Sequence, residues 1–124
     1  MPRTVAEKLL IAPESELLLL ATPEQRTLLE PLPDGVTVAD GITRDTEGVA
    51  VAFVDDRAGL DALLAEIVPV LTSFRAGWIA YRKGGRSDIN RDSIWARVEE
   101  IGWTLNANIS LSDEWSAVRF KRST

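Results

Sequence analysis

The chain has no cysteine and no histidine among its 124 residues. The first absence rules out a thiolate nucleophile, a thiolate metal site and a disulfide framework. The second removes the commonest general base and the commonest metal ligand, so any catalysis would fall to carboxylates, Lys83, Tyr81 or hydroxyls. A basic surplus is lacking as well. The net charge of −5 argues against a general nucleic-acid binder, though not against one basic patch. No apolar run approaches membrane-spanning length, and the stretch Met1 to Lys8 is too charged and too short in apolar residues for a signal peptide. A cytoplasmic protein is the expectation.

What is present suffices for one domain, expected to span residues 1–124. A domain near this size buries roughly two-thirds of the surface its unfolded chain exposes, enough for a core without staples. Repeats, low-complexity segments and linkers are absent from the sequence.

The pattern of apolar residues and breakers orders the chain. Thr4 and Glu7 make a capping-box pattern for a short helix that ends before Pro13. Glu16 to Ala21, with its run of four leucines, reads as a strand buried on both faces. Thr22, Pro23 and Gln25 start a second helix, with Leu28, Leu29 and Leu32 as its apolar face. Val36 to Ala39 and Val49 to Val54 are strands separated by a polar loop. Asp55 or Asp56 caps the next helix, whose apolar face is Leu60, Leu63, Leu64, Ile67 and Leu71, with Pro69 expected to kink it. Trp78 to Tyr81 is a strand. A helix begins near Asn90 or Arg91, with Ile94, Trp95, Val98 and Ile101 buried and Gly102 as its stop. From Trp103 to Leu111 polar and apolar residues alternate strictly. Trp103, Leu105, Ala107, Ile109 and Leu111 are expected on one face, and Thr104, Asn106, Asn108 and Ser110 on the other. The short turn Ser112-Asp113-Glu114 makes the last strand, Trp115 to Lys121, antiparallel to it.

This alternation predicts an α/β fold: a three-layer, mostly parallel Rossmann-like sheet that ends in an antiparallel hairpin. The closing hairpin is typical of the class I methyltransferase variant, here shortened by one strand–helix unit in the middle. One more absence then matters. In such sheets the first strand-to-helix turn cradles the cofactor with glycines. Here that turn is Thr22-Pro23-Glu24-Gln25, so the usual site reads as closed and no cofactor is expected.

Several segments carry a family resemblance. They are Val5 to Leu9, Leu32 to Val38, Trp78 to Lys83, Asp88-Ile89 and Asp113 to Phe120, with Asp113-Glu114-Trp115-Ser116 the most specific. Together they resemble a bacterial family known as domain of unknown function 3052. The resemblance covers nearly the whole chain. It implies a methyltransferase-like sheet without an evident cofactor signature, and no established activity. The family commonly has proline where this chain has Arg82 and glycine where it has Glu14.

The site candidates each have two readings. Asp40 ends the second strand, where an acid can bond a ribose hydroxyl; Asp40-Gly41 is also an ordinary turn. Asp55 and Asp56 would line a cleft at the carboxyl ends of the strands, and they also suit helix capping. Lys83, Gly84, Gly85, Arg86 and Arg91 place positive charge and exposed amides ahead of a helix, which favours an anion; they also suit a solvated loop. Trp95 and Trp103 are expected in the core, with Trp78 and Trp115 near strand ends. The polar stripe Thr104, Asn106, Asn108 and Ser110 suits solvent or a contact with a second copy of the chain.

The sequence therefore points to a non-enzymatic or degenerate Rossmann-like binding or interaction module. Its expected partners are a protein or a small anionic ligand, with a homodimer among the options and neither membrane nor nucleic acid expected. The alternative is a small methyltransferase-like or nucleotide-binding enzyme with a non-standard cofactor loop, in which Asp40, Asp55 and Lys83 would be the residues to test. Methyl transfer by proximity needs no histidine, so the residue inventory leaves that alternative open.

Overall fold

Helix and strand patterning resolve into one six-stranded sheet in a computed structural model that describes residues 5–30, 32–39, 48–67, 76–83 and 89–122. The elements are α1 (Val5–Lys8), β1 (Glu16–Leu20), α2 (Pro23–Arg26) with a 3₁₀ turn (Thr27–Leu29), β2 (Thr37–Ala39), β3 (Val49–Phe53), α3 (Arg57–Ile67), β4 (Ala76–Arg82), α4 (Arg91–Glu99), β5 (Trp103–Ser110) and β6 (Trp115–Arg122). The strands lie in the order β2-β1-β3-β4-β6-β5. The first four are mutually parallel, and β6 runs antiparallel to both β4 and β5. This is the doubly wound order 3-2-1-4-5-6 without its outermost strand, closed by an inserted hairpin. The chain crosses from β2 to β3 over residues 40–48 alone, too few for the helix and strand that the longer fold places there.

The leucine run shows why the sheet is buried on both sides. Leu18 joins one hydrophobic layer, in which Leu60, Leu64, Ile94 and Val98 of α3 and α4 pack on Ile79 and Val118. Leu17 and Leu19 point to the opposite layer, where Ala6, Leu9 and Leu29 pack on Val51, Trp78 and Ala80. Successive side chains leave opposite faces of a strand, so one four-leucine run serves two cores. Close approach fixes two glycines. A Cβ on Gly48 would lie 1.7 Å from the Glu16 carbonyl oxygen, and one on Gly35 would lie 2.8 Å from Glu14 Cγ.

Three expectations are corrected. Helix α2 stops at Arg26 and passes into a single 3₁₀ turn. Thr27 Oγ1 donates to the Glu24 carbonyl, and Glu30, ahead of Pro31, is extended (φ −79°, ψ 148°) as a residue before proline prefers. On α4, Ile94 and Val98 are fully buried, but Trp95, and Ile101 in the turn that follows, are each 36 % exposed, so Trp95 is not a core residue. The strict alternation along β5 does not keep one face. Asn106 is an extra residue between Leu105, opposite Phe120, and Ala107, opposite Arg119. This bulge moves the downstream residues to the other side. Trp103 and Leu105 pack with α3 and α4, whereas Ala107, Ile109 and Leu111 pack in the opposite layer. Pro69 and Leu71 lie outside the described residues.

Among the described residues, no helix is long and apolar enough to cross a membrane.

Candidate functional site

Two depressions open at the carboxyl ends of the parallel strands. The first, about 340 Å³, sits at the point where the strand order reverses, since β2 and β3 lie on opposite sides of β1. Open α/β sheets take ligands there. Thr22, Glu24, Gln25 and Leu28 line it from α2 and the 3₁₀ turn, Asp55 from the end of β3, and Arg82, Glu114 and Trp115 from β4 and the hairpin.

This crevice is satisfied from within. At the amino end of α2, the Thr22 N–H donates to Gln25 Oε1 (2.8 Å) and the Gln25 N–H to Thr22 Oγ1 (3.2 Å). That reciprocal capping box engages amides that a phosphate-binding turn would offer. Across the crevice, Arg82 lies between two carboxylates. Its Nη1 donates to Glu114 Oε1, and its Nε is 3.6 Å from Asp55 Oδ1. The guanidinium also stacks over the Trp115 ring, 4.8 Å from the centroid, and Phe53 meets the same ring edge-on at 5.1 Å.

The second depression is larger and more open, about 490 Å³. Tyr81 and Lys83 line it from the end of β4, Asn90, Arg91 and Asp92 from the amino end of α4, and Asn108 and Ser116 from the β5–β6 hairpin. The bulge at Asn106 brings Asn108 here, because it turns Asn108 to the face that Tyr81 and Ser116 share. The Ser116 hydroxyl donates to Asn108 Oδ1 at 2.8 Å, with the Ile109 carbonyl as the other acceptor at 2.9 Å. Lys83 Nζ donates to Ser110 Oγ at 2.6 Å. Asn90 and Ser93 close a second reciprocal capping box (2.8 and 2.9 Å), while the first-turn amides of Arg91 and Asp92 have no acceptor within the helix. Two cations, Lys83 and Arg91, face one carboxylate, Asp92, which lies 3.8 Å from Arg91 Nη2.

The sequence candidates are therefore distributed as follows. Lys83 and Arg91 line one depression together. Gly84, Gly85 and Arg86, between them in the chain, lie outside the described residues, as does Asp40. Asp55 lines the other depression and engages Arg82. Asp56 caps α3, accepting from the Gly59 N–H at 2.8 Å. Sequence reasoning missed Arg82 as the centre of the first crevice. It named Tyr81, Asn90 and Asn108 separately, as a candidate catalytic group, a helix start and part of the polar stripe, but did not join them with Ser116 as one neutral wall. Among the described residues, no group of three acidic side chains could hold a metal ion.

No family model matches the chain, so membership of the bacterial family that its residues resemble is not shown. No curated protein matches it either. Among solved structures it is similar to a ribosomal protein L11 methylase from Lactobacillus delbrueckii subsp. bulgaricus. The identity is 12 %, the match covers 97 % of this chain and 76 % of that one, and the TM-score is 0.48.

Proposed function

We propose that the chain is a non-enzymatic, degenerate Rossmann-like binding module whose ligand is a small anion held beside Lys83 and Arg91. The observation that carries the proposal is a contrast between the two depressions. At the strand-order reversal, Thr22, Gln25, Asp55, Arg82 and Glu114 bond to one another. Beside α4, Lys83 and Arg91 line a larger depression with one carboxylate, Asp92, and the first-turn amides of Arg91 and Asp92 have no acceptor within the helix. A helix amino end and a pair of cations both favour an oxyanion. We further propose that the protein is cytoplasmic and related to the bacterial family its residues resemble. Glu14 supports the relation: it holds a left-handed φ of +58°, where that family commonly carries glycine.

The test follows thermal stability and amide shifts while phosphate, S-adenosylmethionine, nicotinamide and adenine nucleotides are added. A ligand of the native state raises the unfolding midpoint. Phosphate is expected to raise it and to move the Arg91 and Asp92 amides, and a Lys83→Gln, Arg91→Gln double variant is expected to lose both responses. That control removes the general salting effect of phosphate, which any protein shows. A response that survives the double substitution overturns the proposal.

One observation favours a second reading. The 340 Å³ crevice lies where related sheets hold their cofactors, and Asp55 borders it. A methyltransferase-like enzyme would have to displace Arg82 from Asp55 to use it. A midpoint shift with S-adenosylmethionine that Asp55→Asn abolishes would support that reading.

A further inference from the structure

We infer that the depression beside Lys83 and Arg91 selects the phosphate ester of a small polyhydroxy compound over inorganic phosphate. This rests on the anion-binding reading above and assigns its ligand class. The new observation is Tyr81. The residue is 7 % exposed, it lines the depression, and its hydroxyl has no protein partner among the described residues. No fully buried side-chain polar atom among them lacks a partner. The phenol hydroxyl is therefore not sealed in the core, and the depression that Tyr81 lines is where its hydrogen-bonding capacity can be used.

The neighbouring groups extend that pattern. Asn90 and Asn108 each commit the amide oxygen to the protein, to the Ser93 N–H and the Ser116 hydroxyl, and their Nδ2 donors have no acceptor among the described residues. Ser116 gives its proton away and keeps oxygen lone pairs, and Asp92 adds a carboxylate. A wall that mixes donors with acceptors suits hydroxyl groups, which do both. The two cations suit the phosphoryl group. A volume of about 490 Å³ exceeds what a lone phosphate fills and falls in the range of small-molecule sites. The Tyr81 ring belongs to the hydrophobic layer, and no other aromatic lines the depression among the described residues, so a nucleobase has no stacking platform.

The test is calorimetric titration with glucose 6-phosphate, inorganic phosphate and glucose at matched ionic strength. The sugar phosphate is expected to bind at least about tenfold more tightly than phosphate. Tyr81→Phe is expected to erase about tenfold of that preference without lowering the unfolding midpoint, since the hydroxyl bonds none of the described residues. Asn108→Ala is expected to reduce the preference in the same way. Equal affinity for the two phosphates, or a preference intact in both variants, overturns the ligand class and leaves the anion site standing. No binding of either phosphate overturns both.

Discussion

The indole N–H of Trp78 donates to the carbonyl of Leu9 at 3.0 Å, across 69 residues of chain. Both residues are buried. The bond ties the segment after α1 to β4, a central strand of the sheet. It also satisfies a carbonyl at a helix carboxyl end, where intrahelical donors run out.

Trp78→Phe keeps an aromatic ring but leaves the Leu9 carbonyl without its donor and a gap beside it. The expected loss is about 2–4 kcal/mol of unfolding free energy, read by urea titration. Faster proteolysis ahead of Pro13 should accompany it. Unchanged stability would mean that the N-terminal segment is held by its apolar contacts alone.

Leu10 and Glu14 hold left-handed backbone at φ +67° and +58°. Leu10 sits where α1 ends: its N–H donates to the Glu7 carbonyl and the Ile11 N–H to the Ala6 carbonyl, the paired bonds of a helix stop that usually employs glycine. Leu10→Gly and Glu14→Gly are each expected to gain about 0.5–1 kcal/mol, because relief of the side-chain clash exceeds the added freedom of the unfolded chain. Denaturant midpoints of the single variants and the pair measure this. A drop in either would show that the side chain contributes more than its backbone costs.

Arg97 of α4 donates from Nε to Asp61 Oδ1 of α3 at 2.7 Å, and Arg57 approaches the same oxygen at 3.5 Å. The hydrogen bond from Arg97 holds the Asp61 carboxyl below the usual carboxylate value. Partial desolvation opposes this, and the charges of Arg97 and Arg57 reinforce it. A carboxyl with a depressed folded-state value stabilises the fold above its unfolded value, and that contribution is lost as pH falls through the folded one. Asp61→Asn is therefore expected to be less stable than the parent at neutral pH, with the gap closing as the solution is acidified. A gap that stays constant with pH would assign the difference to packing.

The mostly parallel sheet with its closing hairpin was legible because buried strands, capping boxes and a short turn are local signals. The four-leucine run between Pro13 and Pro23, and Thr22 with Gln25, each decide their element within a few residues. What could not be read depends on neighbours distant in sequence. Trp95 follows Ile94 within the helical pattern, yet Ile94 is fully buried and the indole residue is left partly in solvent. Arg82 stands last in β4 as an ordinary charged residue. Its position between Asp55 and Glu114 needs the carboxyl ends of two strands and a hairpin to converge. Tyr81 shows the same limit. A buried strand accounts for its ring, and only the hairpin and α4 beside it place the residue at the edge of a depression.

The extra residue at Asn106 makes strand length a determinant of chemistry. Deleting that one position would swing Asn108 away from Ser116 and rotate Ile109 out of the layer it shares with Trp115. Amino-acid composition would barely change, yet the polar basin would lose one wall and the opposite core one of its members. Length variation in this hairpin is thus a route by which such a sheet gains or loses a polar basin without any substitution inside it.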